Sequence, residues 1–148
     1  LHELHSIFDA TIFAPMRAQP DATLRILTFF RGLDAFLLEP RIHSGVAGYW
    51  LAPSVEQPAF DALQNEFDAS THALLHQTLD EAQQSGAFHF GDEINDMTDA
   101  ILALMEAIVL PLRKLSHEQV HRSLGVLMRT LMRAYATGDA LPKLLMKL

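Results

Sequence analysis

The stretch PDATLRILTFFRGLDAFLLEP, Pro20–Pro40, decides what kind of molecule this is. A helix opens near its start and runs to about Leu38. Glu39-Pro40 stops it there, because a residue preceding proline is pushed out of the helical region. Ile26, Leu27, Phe29, Phe30, Leu33, Phe36, Leu37 and Leu38 cover most of the helix circumference. A helix apolar nearly all round has little face to offer water, so it belongs in the centre of a domain. The neighbouring segments must then supply its cover.

They read as helices too. The first covers about Leu1–Pro15, with Leu1, Leu4, Phe8 and Ile12 along one stripe. The Gly- and Pro-rich segment Pro40–Pro58 predicts a short helix over Ile42–Trp50 and then an irregular turn. A long fourth helix spans about Pro58–Ser85, and Gly86 suits its C′ position. The fifth starts near Asp92 and reaches about Leu112, where Pro111 bends or ends it. Asp92, Glu93 and Asp96 crowd its first turns, where the helix dipole favours negative charge. The sixth begins at Ser116-His117-Glu118-Gln119, a capping box, and continues to about Ala136. The tail from Asp139 adds a short turn or frays. No strand pattern or repeat interrupts this order, so the expected fold is all-α, one domain over residues 1–148.

Composition narrows the function. The chain has 148 residues, 49% of them apolar, and none of its apolar runs approaches a membrane span. No signal peptide is visible, and a cytoplasmic protein without membrane contact is expected. The absence of cysteine rules out disulfides and thiolate chemistry. Net charge is −7, unevenly spread. Between Ile42 and Leu112 there is no Lys or Arg, whereas from Arg113 onward Arg113, Lys114, Arg122, Arg129, Arg133, Lys143 and Lys147 outnumber Glu118 and Asp139. An acidic chain is a poor match for a phosphate backbone, so these residues are not expected to hold nucleic acid themselves.

Histidine pairs at helical spacing, His2/His5, His72/His76 and His117/His121, raise a metal-site reading, and Asp68 extends the second pair. That ladder lies well away from the apolar stripe of its helix, which favours a solvated face. No Glu-x-x-His di-iron motif, phosphate loop, Gly-x-Ser-x-Gly elbow or His-Glu-x-x-His occurs. The expectation is therefore no metal, no cofactor and no enzyme. On the fourth helix, Thr71 and Thr78 fall within the stripe of Phe60, Leu63, Phe67, Leu74, Leu75 and Ala82, with Gln64 beside it. Two readings stand: hydroxyls bonded back to the i−4 carbonyl, or polar handles of an apolar pocket. The aromatics are likewise core or pocket lining, and Tyr49-Trp50 sit where an entrance would be built. In the connector between the fourth and fifth helices, Phe88 and Phe90 should pin the chain to the core while His89 points away. This segment reads as a hinge rather than a site.

The long helix ending in EAQQSGAF (Glu81–Phe88) and the two final apolar helices, Asp92–Leu112 and Ser116–Ala136, resemble the C-terminal ligand-binding and dimerisation domain of TetR/AcrR-type transcriptional regulators. The resemblance extends over nearly the whole chain. The family's helix-turn-helix is absent from it, and Leu1, opening inside an apolar pattern without an initiator Met, is expected to follow missing upstream residues. The resemblance implies a six-helix orthogonal and antiparallel bundle. Its last two helices would pair with those of a second subunit as a four-helix bundle.

It also implies effector sensing in a repressor, with DNA contacted only through a domain not in this chain. Residues 1–113 would form the pocket part and 92–138 the dimerisation helices. The expected ligand-binding residues are Phe29, Phe30, Tyr49, Trp50, Phe60, Gln64, Phe67, Thr71, Thr78, Met97, Ile101 and Met105. The effector would be small and mostly apolar, neutral or cationic. The expected homodimer interface comprises Ala100, Ala103, Leu104, Ala107, Leu124, Leu127, Met128, Leu131 and Tyr135. The alternative is a helical-bundle interaction or metal-binding protein with no DNA-binding role.

Overall fold

Asp21 turns the chain into its central helix by accepting hydrogen bonds from Thr23 N (2.8 Å) and Leu24 N (3.1 Å). These are two of the amides that a helix start leaves without partners. The computed structural model describes residues 2–40, 58–109 and 116–148, with the backbone alone at 2, 58–60 and 105–109. The elements in order are α1 (His2–Phe8), a π turn (Asp9–Phe13), α2 (Ala14–Ala18), α3 (Ala22–Leu38), α4 (Pro58–Gln84), α5 (Ile94–Val109), α6 (His117–Tyr135) and α7 (Leu141–Leu145). The protein is all-α among the described residues, where the one β-type pairing is an isolated bridge between Phe88 and Ala136. The helix expected over Ile42–Trp50, and Pro111, lie outside the described residues.

α3 is the hub. Phe29, Phe36, Ile26, Leu27, Leu33 and Leu37 are all at most 2% exposed, as an all-round apolar helix requires. It packs against the π turn, α2, α4 and α6, while α5 lies on α4 and α7 on α6. Leu38, the last helical residue, departs from the expectation: it is 55% exposed.

The first helix also departs from its expected stop at Pro15. Helical backbone continues to Ala18, with Pro15 in the first turn of α2. Inside a regular α-helix, proline would collide with the carbonyl four residues back, here Thr11. The π turn immediately upstream widens the backbone, with Ala14 N donating to Asp9 O, and so lets the chain carry on. α3 crosses this turn at Gly32. A Cβ on Gly32 would stand 2.6 Å from Thr11 O and 2.8 Å from Ile12 Cα, so only glycine permits that approach.

At the other end, Ser116 Oγ accepts from Gln119 N (3.2 Å) and Gln119 Oε1 accepts from Ser116 N (2.8 Å), completing the expected capping box. α5 starts at Ile94, two residues past the Asp92 start expected from the sequence.

Candidate functional site

Polar groups converge on apolar surface at the start of α4. Phe67 is half-buried there, against rings delivered by two other elements. Its ring centroid lies 5.8 Å from those of both Phe8 and Phe13, and Phe8 stacks on Phe36 at 4.1 Å. His5 lies flat on Phe67, with centroids 4.0 Å apart and planes 1° from parallel. The cluster follows from spacing. On α1 and the π turn, His5, Phe8 and Phe13 fall on the side that faces α3 and α4, and Phe36 meets them from α3.

A hydrogen-bond relay edges this cluster. Gln64 Nε2 donates to Asp68 Oδ1 (2.7 Å), and Gln64 Oε1 lies 3.2 Å from His5 Nε2. An ionised carboxylate only accepts, which turns the Gln64 amide nitrogen towards Asp68 and its oxygen towards His5. His5 Nε2 therefore carries the proton and donates. The arrangement is a closed aromatic cluster, with Phe8, Phe13 and Phe36 buried and Phe67 half-buried under His5, and with an amide, an imidazole and a carboxylate along its edge.

Deeper along α4, Thr71 and Thr78 are buried, and each hydroxyl donates to the carbonyl four residues back, Phe67 O and Leu74 O, at 2.8 Å. Thr98 on α5 does the same to Ile94 O (2.7 Å). Of the two readings left open by the sequence, back-bonding is the arrangement observed. No buried side-chain nitrogen or oxygen among the described residues lacks a partner. Phe29 and Phe30 meet edge to face at 5.5 Å inside the core, Ile101 is buried and Met97 half-buried. The expected ligand residues are thus split. Gln64 and Phe67 join the aromatic cluster, whereas Phe29, Phe30, Thr71, Thr78 and Ile101 are packed in the interior. Tyr49 and Trp50, and the side chains of Phe60 and Met105, lie outside the described residues.

His5, Phe8, Phe13 and Phe36 were absent from the expected set, although the apolar stripe of the first helix already marks Phe8. His72 and His76 stack loosely (6.1 Å), and His72 Nε2 pairs with Asp99 Oδ1 at 3.0 Å. Among the described residues no three His, Asp or Glu side chains gather as metal ligands.

The expected subunit face is also divided. Ala100 and Ala103 are exposed on α5, and Leu104 is half-buried. The Ala107 side chain lies outside the described residues. On α6, Leu127, Met128, Leu131 and Tyr135 are half-buried, but Leu124 is 4% exposed and belongs to the core of the single chain. α6 packs on α3 within the chain, and Val120, Leu124 and Met132 are the side chains it buries. What α6 turns outward is Val126, 54% exposed, with Arg122 and Arg133.

A buried arginine escaped the sequence reading. Arg25 reaches out of α3 to Gln19 O (2.8 Å), Pro20 O (3.1 Å) and Glu81 Oε2 (2.6 Å), tying the α2–α3 corner to α4. Hydrogen bonds from Gln77 and Arg25 hold the Glu81 carboxyl below its ordinary pKa.

The connector after α4 behaves as its sequence implies. Phe88 and Phe90 are 1% and 3% exposed, and His89 faces solvent.

No helix among the described residues is long and apolar enough to cross a membrane. No protein-family model, curated protein or solved structure matches the chain.

Proposed function

We propose that this chain is the effector-sensing and dimerising domain of a TetR-like transcriptional repressor, acting on DNA only through a domain outside it. The observation that carries the reading is the cluster around Phe67. Stacked rings there meet a short polar edge, the composition of a site for a small, mostly apolar ligand. The edge ends in Asp68, and α4, which carries it, contains no Lys or Arg, so a neutral or cationic ligand suits it better than an anion. The effector would bind between α1, α3 and α4 and bias the arrangement of two subunits, thereby setting the spacing of their DNA-binding domains.

The dimer in this proposal uses the outward sides of α5 and α6. One presents Asp96, Asp99, Ala100 and Ala103, the other Arg122, Val126 and Arg133, so acidic and basic strips are complementary between copies.

The ligand site is tested with N-phenyl-1-naphthylamine, a neutral apolar fluorophore. Binding should saturate at about one probe per chain, and Phe67→Ala should weaken it by roughly tenfold, the loss of one aromatic contact. Saturable binding unaffected by Phe67→Ala, or no binding, would sink the site.

A further inference from the structure

We infer that residues 86–91 form a strap that opens as one unit, swinging on two glycines and latched to the end of α6. Gly86 (φ 82°) and Gly91 (φ 64°) are the only described residues with positive φ. A Cβ added to either would meet nothing within 4 Å, so glycine is required there by backbone rotation and not by lack of room. The two pivots bracket the segment that joins α4 to α5.

Between them the strap pairs with the chain after α6 as a minimal antiparallel ladder. His89 N donates to Tyr135 O (2.8 Å) and Thr137 N donates to Ala87 O (2.9 Å), flanking the Phe88–Ala136 bridge. A third fastening comes from α4: Gln83 Oε1 accepts from Phe90 N (2.7 Å), and Gln83 Nε2 reaches Gly91 O (3.4 Å). On the inner side Phe88 stacks on Phe90 (5.4 Å), and Phe90 leans on Tyr135 (5.3 Å). On the outer side Ser85, Gly86 and His89 are exposed. The strap is therefore a thin layer, anchored by two backbone–backbone hydrogen bonds, two hydrogen bonds with the Gln83 side chain and two rings, with solvent behind it.

Closed, it fixes the α4–α5 corner against the C-terminal end of α6. Open, it withdraws Phe88 and Phe90 together, exposes apolar interior at that corner and frees α5 to reorient relative to α6. A local opening of this kind belongs to the low-stability end of a fold, well below global unfolding. The strap lies at the opposite end of α4 from Phe67, roughly 25–30 Å away at helical rise. It opens without any effector, so its test is independent of the ligand site.

Native-state amide exchange in the ligand-free protein reads the opening. His89 and Thr137 should exchange with one common denaturant slope, smaller than that of Leu33 and Phe36 in α3. Gln83→Ala, which removes the short bond to Phe90 N and the long one to Gly91 O, should accelerate both by the same factor, roughly 5–10-fold, and leave Leu33 and Phe36 unchanged. Exchange of His89 and Thr137 on the α3 slope would overturn the inference, since the strap would then open only with the whole fold. Acceleration of one amide without the other would overturn it as well.

Discussion

Gly32 shows how much can rest on a missing methyl group. Its Cα side faces Thr11 O and Ile12 Cα at distances no real Cβ tolerates, and both neighbours are backbone or next to it, so neither can rotate aside. Gly32→Ala should therefore destabilise the protein by about 1–3 kcal/mol, despite alanine's better helix propensity. Urea unfolding measures this, and a stabilised variant would show that the contact between α3 and the π turn is loose. Thr71 and Thr78 carry a different lesson at the same scale. Their place within an apolar stripe was plain in the sequence, but spacing cannot say where a hydroxyl proton goes. The partner is the residue's own preceding turn, which is always within reach of a helical threonine.

Among the elements, α4 joins most of the molecule. Its start carries Phe67 and Gln64, its middle faces α3, and Glu81 near its end meets Arg25. Glu81 gives the protein an acid-sensitive tie. Its folded pKa lies below the ordinary 4.5, so the unfolded chain takes up the proton first as pH falls. The stabilisation is in full force above the unfolded value and disappears as pH drops below 4.5 through the folded one. The urea midpoint of the protein should exceed that of Glu81→Gln near neutral pH, and the gap should close below that value. The effect should be small, because the Glu81 side chain is 36% exposed and salt screens it. A gap that widens on acidification would contradict the assignment. Two helix ends were legible from their residues, because Ser116 with Gln119, and Gly86, act locally. The π turn was not, because it answers a clash between Pro15 and the preceding turn while α3 presses on the same backbone.

At the scale of the whole molecule, the proposed dimer joins the acidic and basic portions of two chains. Light scattering at micromolar concentration should give twice the chain mass, and Ala103→Arg, at an exposed position on α5, should return the protein to a single chain. A monomeric parent protein would remove the outward faces of α5 and α6 as an interface. The class of the fold was already contained in Pro20–Pro40, since a helix apolar on every side forces other helices to gather round it. The burial of Phe88 and Phe90, the exposure of His89 and the capping box that opens the last long helix were equally readable, because each depends on a few neighbouring residues. Only the tertiary structure decided which apolar side chains of α6 serve the core, that Arg25 is buried beneath α4, and that His5 from the first helix stacks on Phe67 of the fourth. Periodicity reports that a face is apolar without naming the surface that covers it. That choice is made by packing between segments far apart in the chain.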